Sequence, residues 1–268
     1  MRQQSSLARL LASAALTAIL AAGLGGCQTM SDITGSVSPK ETSPDANPYR
    51  AVEIYGERYR ADPKNAEAAL AYGQALRATG QRSQAAAVLE QATLAHPDNK
   101  ALLAGYGRAL ADNGSFQQAF DVLSRAHSPD NPDWRILSVQ GTTLDQLGRH
   151  DEARQYYASA LKIVPDEPSV LSNLGLSYVL SKDLPKAEEV LRQAYASTRA
   201  DARVRQNLGL VVGLQGRFAE AEQIVRADLP ADEAAANVGY LKQMLNHKDD
   251  PRKGTASRMP VASLNRPE

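Results

Sequence analysis

Five glycines stand at a fixed interval of 34 residues: Gly73, Gly107, Gly141, Gly175 and Gly209. An alanine follows each of them at a constant offset of 12: Ala85, Ala119, Ala153, Ala187 and Ala221. Neither ladder needs a gap from Ala66 to about Asp228. So strict a period means one structural unit built repeatedly and stacked, because a single copy cannot bury its own apolar face.

Each unit reads as two helices. In Ala66 to Asn99, the residues Leu70, Tyr72 and Leu76 recur at helical spacing, Thr79-Gly80 breaks the run, and Ala85, Val88, Leu89 and Ala92 begin a second run that stops near His96-Pro97. That spacing is the signature of an amphipathic helix. Gly80, Gly114, Gly148 and Gly216 fall where the first helix ends, a place that calls for the left-handed backbone glycine adopts easily. Lys182 holds that place in the fourth unit, and the turn is expected to survive with some strain. The ladder glycines lie inside helices, where glycine costs about 1 kcal/mol relative to alanine. Close approach of a neighbouring helix compensates. Bulky partners suit that role: Leu103, Leu137 and Leu171 on first helices, and Leu89, Leu123, Tyr157 and Leu191 on second helices. The fold class expected is all-α, a superhelical solenoid of about five helix-turn-helix units. A half unit from Pro48 precedes it, and a capping helix from Asp232 to about Asn246 follows it.

Glycine at the eighth place of the unit, alanine at the twentieth and twenty-seventh (Ala92, Ala126, Ala160, Ala194), and proline near the thirty-second (Pro97, Pro165) resemble the tetratricopeptide repeat, or TPR. The stretch from Leu171-Ser172-Asn173-Leu174-Gly175 through Ala187 to Ala194 is especially similar. The fifth unit departs, with Arg205 at the fourth place and Asp228 at the twenty-seventh.

The N-terminus carries a different message. Arg2 and Arg9 precede an apolar, small-residue stretch from Leu11 to Gly23, and Leu24-Gly25-Gly26-Cys27 follows. A basic start, a short apolar run and a small-residue cleavage site are the parts of a secretory signal. Leucine, two small residues and cysteine are similar to the bacterial lipobox. That resemblance implies cleavage before Cys27, a diacylglyceryl group on its sulfur and a further acyl chain on its amine. Two or more chains anchor a protein stably where one does not. Gln28 after the cysteine, in place of an aspartate, implies the periplasmic face of the outer membrane. Residues 1–26 are thus expected to be a lipoprotein signal, 27–47 a lipidated cysteine and flexible tether of about 25 Å reach, 48–247 the array with its capping helices, and 248–268 a disordered tail.

No catalytic constellation is legible. His96, His127, His150 and His247 share no metal-ligand spacing, and Cys27 has no second thiol to pair with. Ser159 and Lys162 form a Ser-x-x-Lys string inside a second helix, without the companion motifs of acyl enzymes. Adjacent acids such as Glu188-Glu189 read as solvated faces. The net charge is zero, which argues against nucleic acid. No enzyme activity, cofactor, metal or small-molecule substrate is expected.

The surface that remains is the inner groove lined by first helices. Its N-terminal half offers Glu67, Gln74, Arg77, Arg108, Asp112, Arg135 and Asp145. Its C-terminal half gathers Leu176, Val179, Leu180, Leu210 and Leu214, with Asn173 and Asn207 nearby. That apolar strip suits either a client segment or the chain's own terminal helix. The fifth and ninth places hold Leu70 and Gln74, Ala104 and Arg108, Ser138 and Thr142, so the Lys/Asn clamp of TPR co-chaperones is missing.

Lipobox, tether, repeats and the closing Ala236-Asn237-Val238-Gly239-Tyr240-Leu241 segment resemble the TadD-like TPR lipoproteins of the Tad (Flp) pilus system. The resemblance implies a non-catalytic, pilotin-like factor that binds a secretin or other pilus component while its lipid holds it at the outer membrane. Two other roles stay open: another envelope scaffold, serving outer-membrane protein insertion or peptidoglycan hydrolases, or a regulatory subunit of an envelope enzyme.

Overall fold

The computed structural model describes residues 47–248, all within one contact unit, Ser43–Glu268. The expected signal, Cys27 with the expected tether, and the expected tail from 249 onward lie outside the described residues. Among the described residues twelve α-helices follow one another: α1 Pro48–Ala61, α2 Ala66–Ala78, α3 Arg82–Ala95, α4 Lys100–Asp112, α5 Phe116–Arg125, α6 Trp134–Gln146, α7 His150–Ile163, α8 Pro168–Leu180, α9 Leu184–Tyr195, α10 Ala202–Leu214, α11 Phe218–Val225 and α12 Ala231–Lys248. No strand occurs among the described residues.

Every first helix ends the same way. Gln81 N–H reaches back to Leu76 O (2.9 Å) and Gly80 N–H to Arg77 O (3.1 Å), the paired bonds of a Schellman turn. Ser115, Arg149, Asp183 and Arg217 repeat the first of these bonds, to Leu110, Leu144, Tyr178 and Val212. The residue between has positive φ each time: Gly80, Gly114, Gly148 and Gly216, and in the fourth unit Lys182 at +65°. The non-glycine turn therefore keeps its conformation and bears the steric cost of a Cβ there. First helices begin with side-chain caps, as where Asn65 Oδ1 accepts from Glu67 N–H and Ala68 N–H.

Within a unit, the ladder glycine lets the second helix close in. A Cβ added at Gly73, Gly107, Gly141 or Gly175 would lie 2.5–2.6 Å from Leu89, Leu123, Tyr157 or Leu191, and at Gly209 it would lie 2.6 Å from Val225. The ladder alanines Ala85, Ala119, Ala153, Ala187 and Ala221 are fully buried against the same seams.

Between units, α2 touches α4, α4 touches α6, α6 touches α8, and α8 touches α10. The second helices α3, α5, α7, α9 and α11 do not touch one another among the described residues. Crowding on one side and spreading on the other bends the stack, with first helices inside the curve. Helix α12 touches α10 and α11, as α10 touches α8 and α9. It therefore takes the seat of a sixth first helix. Val238 continues the buried series Val170 and Val204 at the same interval of 34. The helix starts at Ala231, so Asp232 lies in its first turn and does not cap it, one residue away from the expected start.

Candidate inner face and groove

The apolar half of the inner face has the predicted leucines on two adjoining helices, Leu176 and Leu180 on α8, Leu210 and Leu214 on α10. All four are half-buried. Helix α12 packs on α10 but not on α8, so the terminal helix does not cover the α8 leucines. Leu241 of α12 sits where a Cβ on Gly213 would fall, 2.6 Å away, which explains a glycine at that point of α10. The terminal helix and the leucine strip are thus neighbours, and only the α10 side is shared.

Asn173 and Asn207 tie helices together. Asn173 Nδ2 donates to Ser138 Oγ (3.1 Å), and Asn207 Nδ2 donates to Ser172 Oγ (2.8 Å), each bond crossing to the preceding first helix. Asn207 and Ser172 are buried. An asparagine and a serine 35 residues apart were visible in the sequence, but nothing there paired them.

In the polar half, Arg77 Nε donates to Asp112 Oδ2 at 2.6 Å, linking α2 to α4. Arg135 lies over the Trp134 ring, 4.4 Å from its centre. Half-buried Arg108 has both arginines near it, and burial, then Arg77 and Arg135, lower its guanidinium from the ordinary value against the opposing pull of Asp133 and Asp112. Glu67 and Gln74 are exposed.

Asp145 does not line the groove, contrary to expectation. It is buried, and its carboxylate accepts from His150 Nδ1 (2.9 Å), Ser177 Oγ (2.7 Å) and Tyr157 OH (2.9 Å). A buried carboxylate needs such donors, and here they come from α7 and α8, joining the third and fourth units. Burial and the adjacent Asp145 push the Tyr157 phenol well above its ordinary value. Glu188 is likewise more than a solvated acid. It pairs with Arg217 and Arg192 and accepts from Gln215 Nε2 (2.8 Å), and the Arg217 hydrogen bond leads in bringing its carboxyl down to about 2. Ser159 Oγ donates to Gln155 O (2.9 Å) along its own helix, as a surface helix serine does.

A pocket of about 210 Å³ opens beside the polar half, lined by Lys100, Ala104, His127, Asn131, Asp133 and Ile136 among others. His127 Nε2 meets Gln140 Oε1 at 3.1 Å, and Gln140 Nε2 donates to Ser124 Oγ at 3.1 Å. The other ring nitrogen, His127 Nδ1, is buried without a hydrogen-bond partner. No group of three or more metal-ligating side chains occurs among the described residues, and no described helix is long and apolar enough to cross a membrane.

Two family models described as tetratricopeptide repeat match residues 73–133 and 141–200. These are tetratricopeptide repeats. The TPR array is also similar in fold to solved structures. PilW, described as a widely conserved type IV pilus biogenesis factor, aligns at 18% identity and TM-score 0.63, over 72% of this chain and 91% of its own. The Cut9–Hcn1 hetero-tetramer of the APC/C aligns at 19% identity and TM-score 0.61, over 76% of this chain but only 41% of the matched one. PilF of Pseudomonas aeruginosa aligns at 18% identity and TM-score 0.53, over 67% of this chain and 91% of its own. At such identities the likeness is one of fold. No curated protein sequence matches the chain. A TPR array is a scaffold for protein–protein interaction, and the inner face is where this one offers its open leucines.

Proposed function

We propose that the chain is a pilotin-like outer-membrane lipoprotein that holds a segment of an envelope client, a secretin or another component of a Tad/Flp-type pilus, on the inner face of its TPR array. The observation that carries the binding role is the strip Leu176, Leu180, Leu210 and Leu214, half-buried on adjoining first helices and left open on α8 by the terminal helix. Four leucines on neighbouring helices form a patch, whereas isolated surface leucines carry no meaning. The matching places in earlier units hold Gln74, Arg108 and Thr142, so the strip is local to the C-terminal half. Leu24-Gly25-Gly26-Cys27 supports the envelope address. The likeness in fold to PilW, a type IV pilus biogenesis factor, supports a pilus client.

The role is non-catalytic. The lipid places the array, the tether gives it reach, and the groove keeps a client segment near the membrane until assembly. The test is crosslinking in membranes followed by mass spectrometry, comparing the native chain with a Leu176→Glu, Leu210→Glu double variant. Both leucines are half-buried, so the glutamates stay hydrated and the helical signal should persist. Loss of a secretin or pilus component from the crosslinked set is the expected outcome. Capture of the same client by both chains removes the strip from the mechanism. Capture of barrel-insertion factors or peptidoglycan hydrolases reassigns the client.

A further inference from the structure

The described array opens on one half of a unit and closes on the other half. An inner second helix touches two first helices, as α3 touches α2 and α4. Helix α1 has the register of a second helix, with Ala51 in line with the ladder alanines and Tyr55 in line with Leu89, Leu123, Tyr157, Leu191 and Val225. Among the described residues it touches only α2, the first helix that follows, and no described helix takes the place of the first helix of its own unit. Helix α12 is the converse. It touches α10 and α11, but no described helix covers it as α3 covers α2.

The side chains record both open seams. Leu89, Leu123, Tyr157 and Leu191 are fully buried, whereas Tyr55 packs on the adjoining core and is still only half-buried. On α12 a Cβ added at Gly239 would meet nothing within 4 Å, although each ladder glycine is closed off by a large side chain at 2.5–2.6 Å. Tyr240 beside it is 64% exposed.

The two halves fit with an offset of one turn. The residue 34 places after Gly209 is Gln243, and the open glycine comes four residues earlier, about one helical turn. Helix α12 starts early as well. First helices start at Ala66, Lys100, Trp134, Pro168 and Ala202, and the next start in that series is Ala236, but α12 starts at Ala231. A second helix seated on Gly239 therefore has α12 beside it along its whole length. Antiparallel pairing of Tyr55 with Gly239, the direction kept within every unit, sets small Ala51 opposite long Gln243. It also sets the last turn of α1, with Arg58 and Arg60, opposite the first turn of α12, with Asp232 and Glu233. All four charged residues are exposed, and opposite signs face each other.

We propose that α12 of one copy seats α1 of a second copy, so that two half units complete one repeat across the contact. The interface joins two different surfaces. It leaves α1 of the first copy and α12 of the second open to the same contact, and so builds head-to-tail rows rather than closed pairs. A single helix seam is at the low end of interface size, which makes the contact short-lived in dilute solution and favours it where copies are crowded.

The test is disulfide trapping with the purified full-length chain in detergent. One preparation carries Tyr55→Cys and a second carries Gly239→Cys. The native chain, whose only cysteine is Cys27, is the control. Mild oxidation of the mixed variants should give a disulfide-linked pair that neither variant alone nor the control gives. Asp232→Arg with Glu233→Arg in the Gly239→Cys chain should remove that pair, and Arg58→Glu with Arg60→Glu in the Tyr55→Cys chain should bring it back. The reversed charges are on exposed side chains, so each variant should keep the helical signal of the native chain. No pair in the mixture overturns the proposal, as does a pair indifferent to charge reversal or one that the second reversal fails to restore. A pair formed by the Gly239→Cys chain alone assigns the face to α12 of another copy. No pair, with the Gly239→Cys thiol shielded from an alkylating reagent, assigns it to a segment of the same chain outside the described residues. The leucine strip on α8 and α10 takes no part in this contact, so loss of the mixed pair and loss of client capture are separate results.

Discussion

An alanine at Gly141 would put its Cβ 2.5 Å from the Tyr157 ring. That ring cannot easily retreat, because Tyr157 is fully buried and its hydroxyl donates to Asp145 at 2.9 Å. Gly141→Ala should therefore lower stability by about 1–3 kcal/mol, despite the better helix propensity of alanine. Gly239 is also helical, but a Cβ there meets nothing within 4 Å. Gly239→Ala should raise stability by up to about 1 kcal/mol. Urea unfolding of the two variants checks both signs, and equal shifts in one direction would refute the assigned contacts. Lys182 shows the same distinction from the other side. Its φ of +65° costs energy, yet the Schellman bonds around it are kept, because the packing of α8 on α9 determines the turn and the residue type only modulates it.

Helix pairs are joined by side chains that the repeat pattern does not contain. The fifth unit's two departures are partners: Arg205 of α10 donates from Nε to Asp228 Oδ2 (2.6 Å) and from a terminal nitrogen to Oδ1 (2.5 Å). They replace the apolar pairing represented by Leu171 and Ala194, which share a buried cluster in the unit before. Arg205→Leu and Asp228→Ala should each destabilise the C-terminal end, since each leaves a charge without its partner. The double variant restores leucine opposite alanine and should lose less than the sum, with a coupling of about 1 kcal/mol in thermal unfolding. Strict additivity would mean that the pair contributes nothing. Glu188 of α9 gives a pH prediction. Its carboxyl is lowered from 4.5 to about 2 in the folded chain, chiefly by the Arg217 hydrogen bond. A depressed acid contributes stability above its unfolded value, and that contribution is lost as pH falls from 4.5 toward about 2. Arg217→Gln should raise the Glu188 midpoint in an NMR titration and weaken the acid dependence of unfolding over this window. An unmoved midpoint would show that the ion pair does not hold the proton off.

At the scale of the molecule, the lipobox reading makes anchoring separable from folding. Cys27→Ser should abolish fatty-acid labelling and release the chain from the outer membrane while the described array keeps its melting temperature. Labelling and fractionation unchanged from the native chain would refute the lipobox reading. Helix content, unit boundaries and the glycine seams were legible in the sequence because each is a local or periodic property. A helix shows its period, a turn shows its glycine, and a seam shows a small residue at a fixed distance from a large one. The capping helix was legible as a helix, but its seat as a sixth first helix was settled only by its contacts with α10 and α11. What the period could not reveal is which polar side chains meet across units. Asp145 read as a groove acid and is a buried junction, Glu188 read as solvated and anchors an ion-pair cluster, and Asn207 read as a groove contact and is a helix tie. Superhelical packing decides these roles. It turns one face of each first helix inward against the next and leaves another open, and residues a single helical step apart fall on opposite sides of that division.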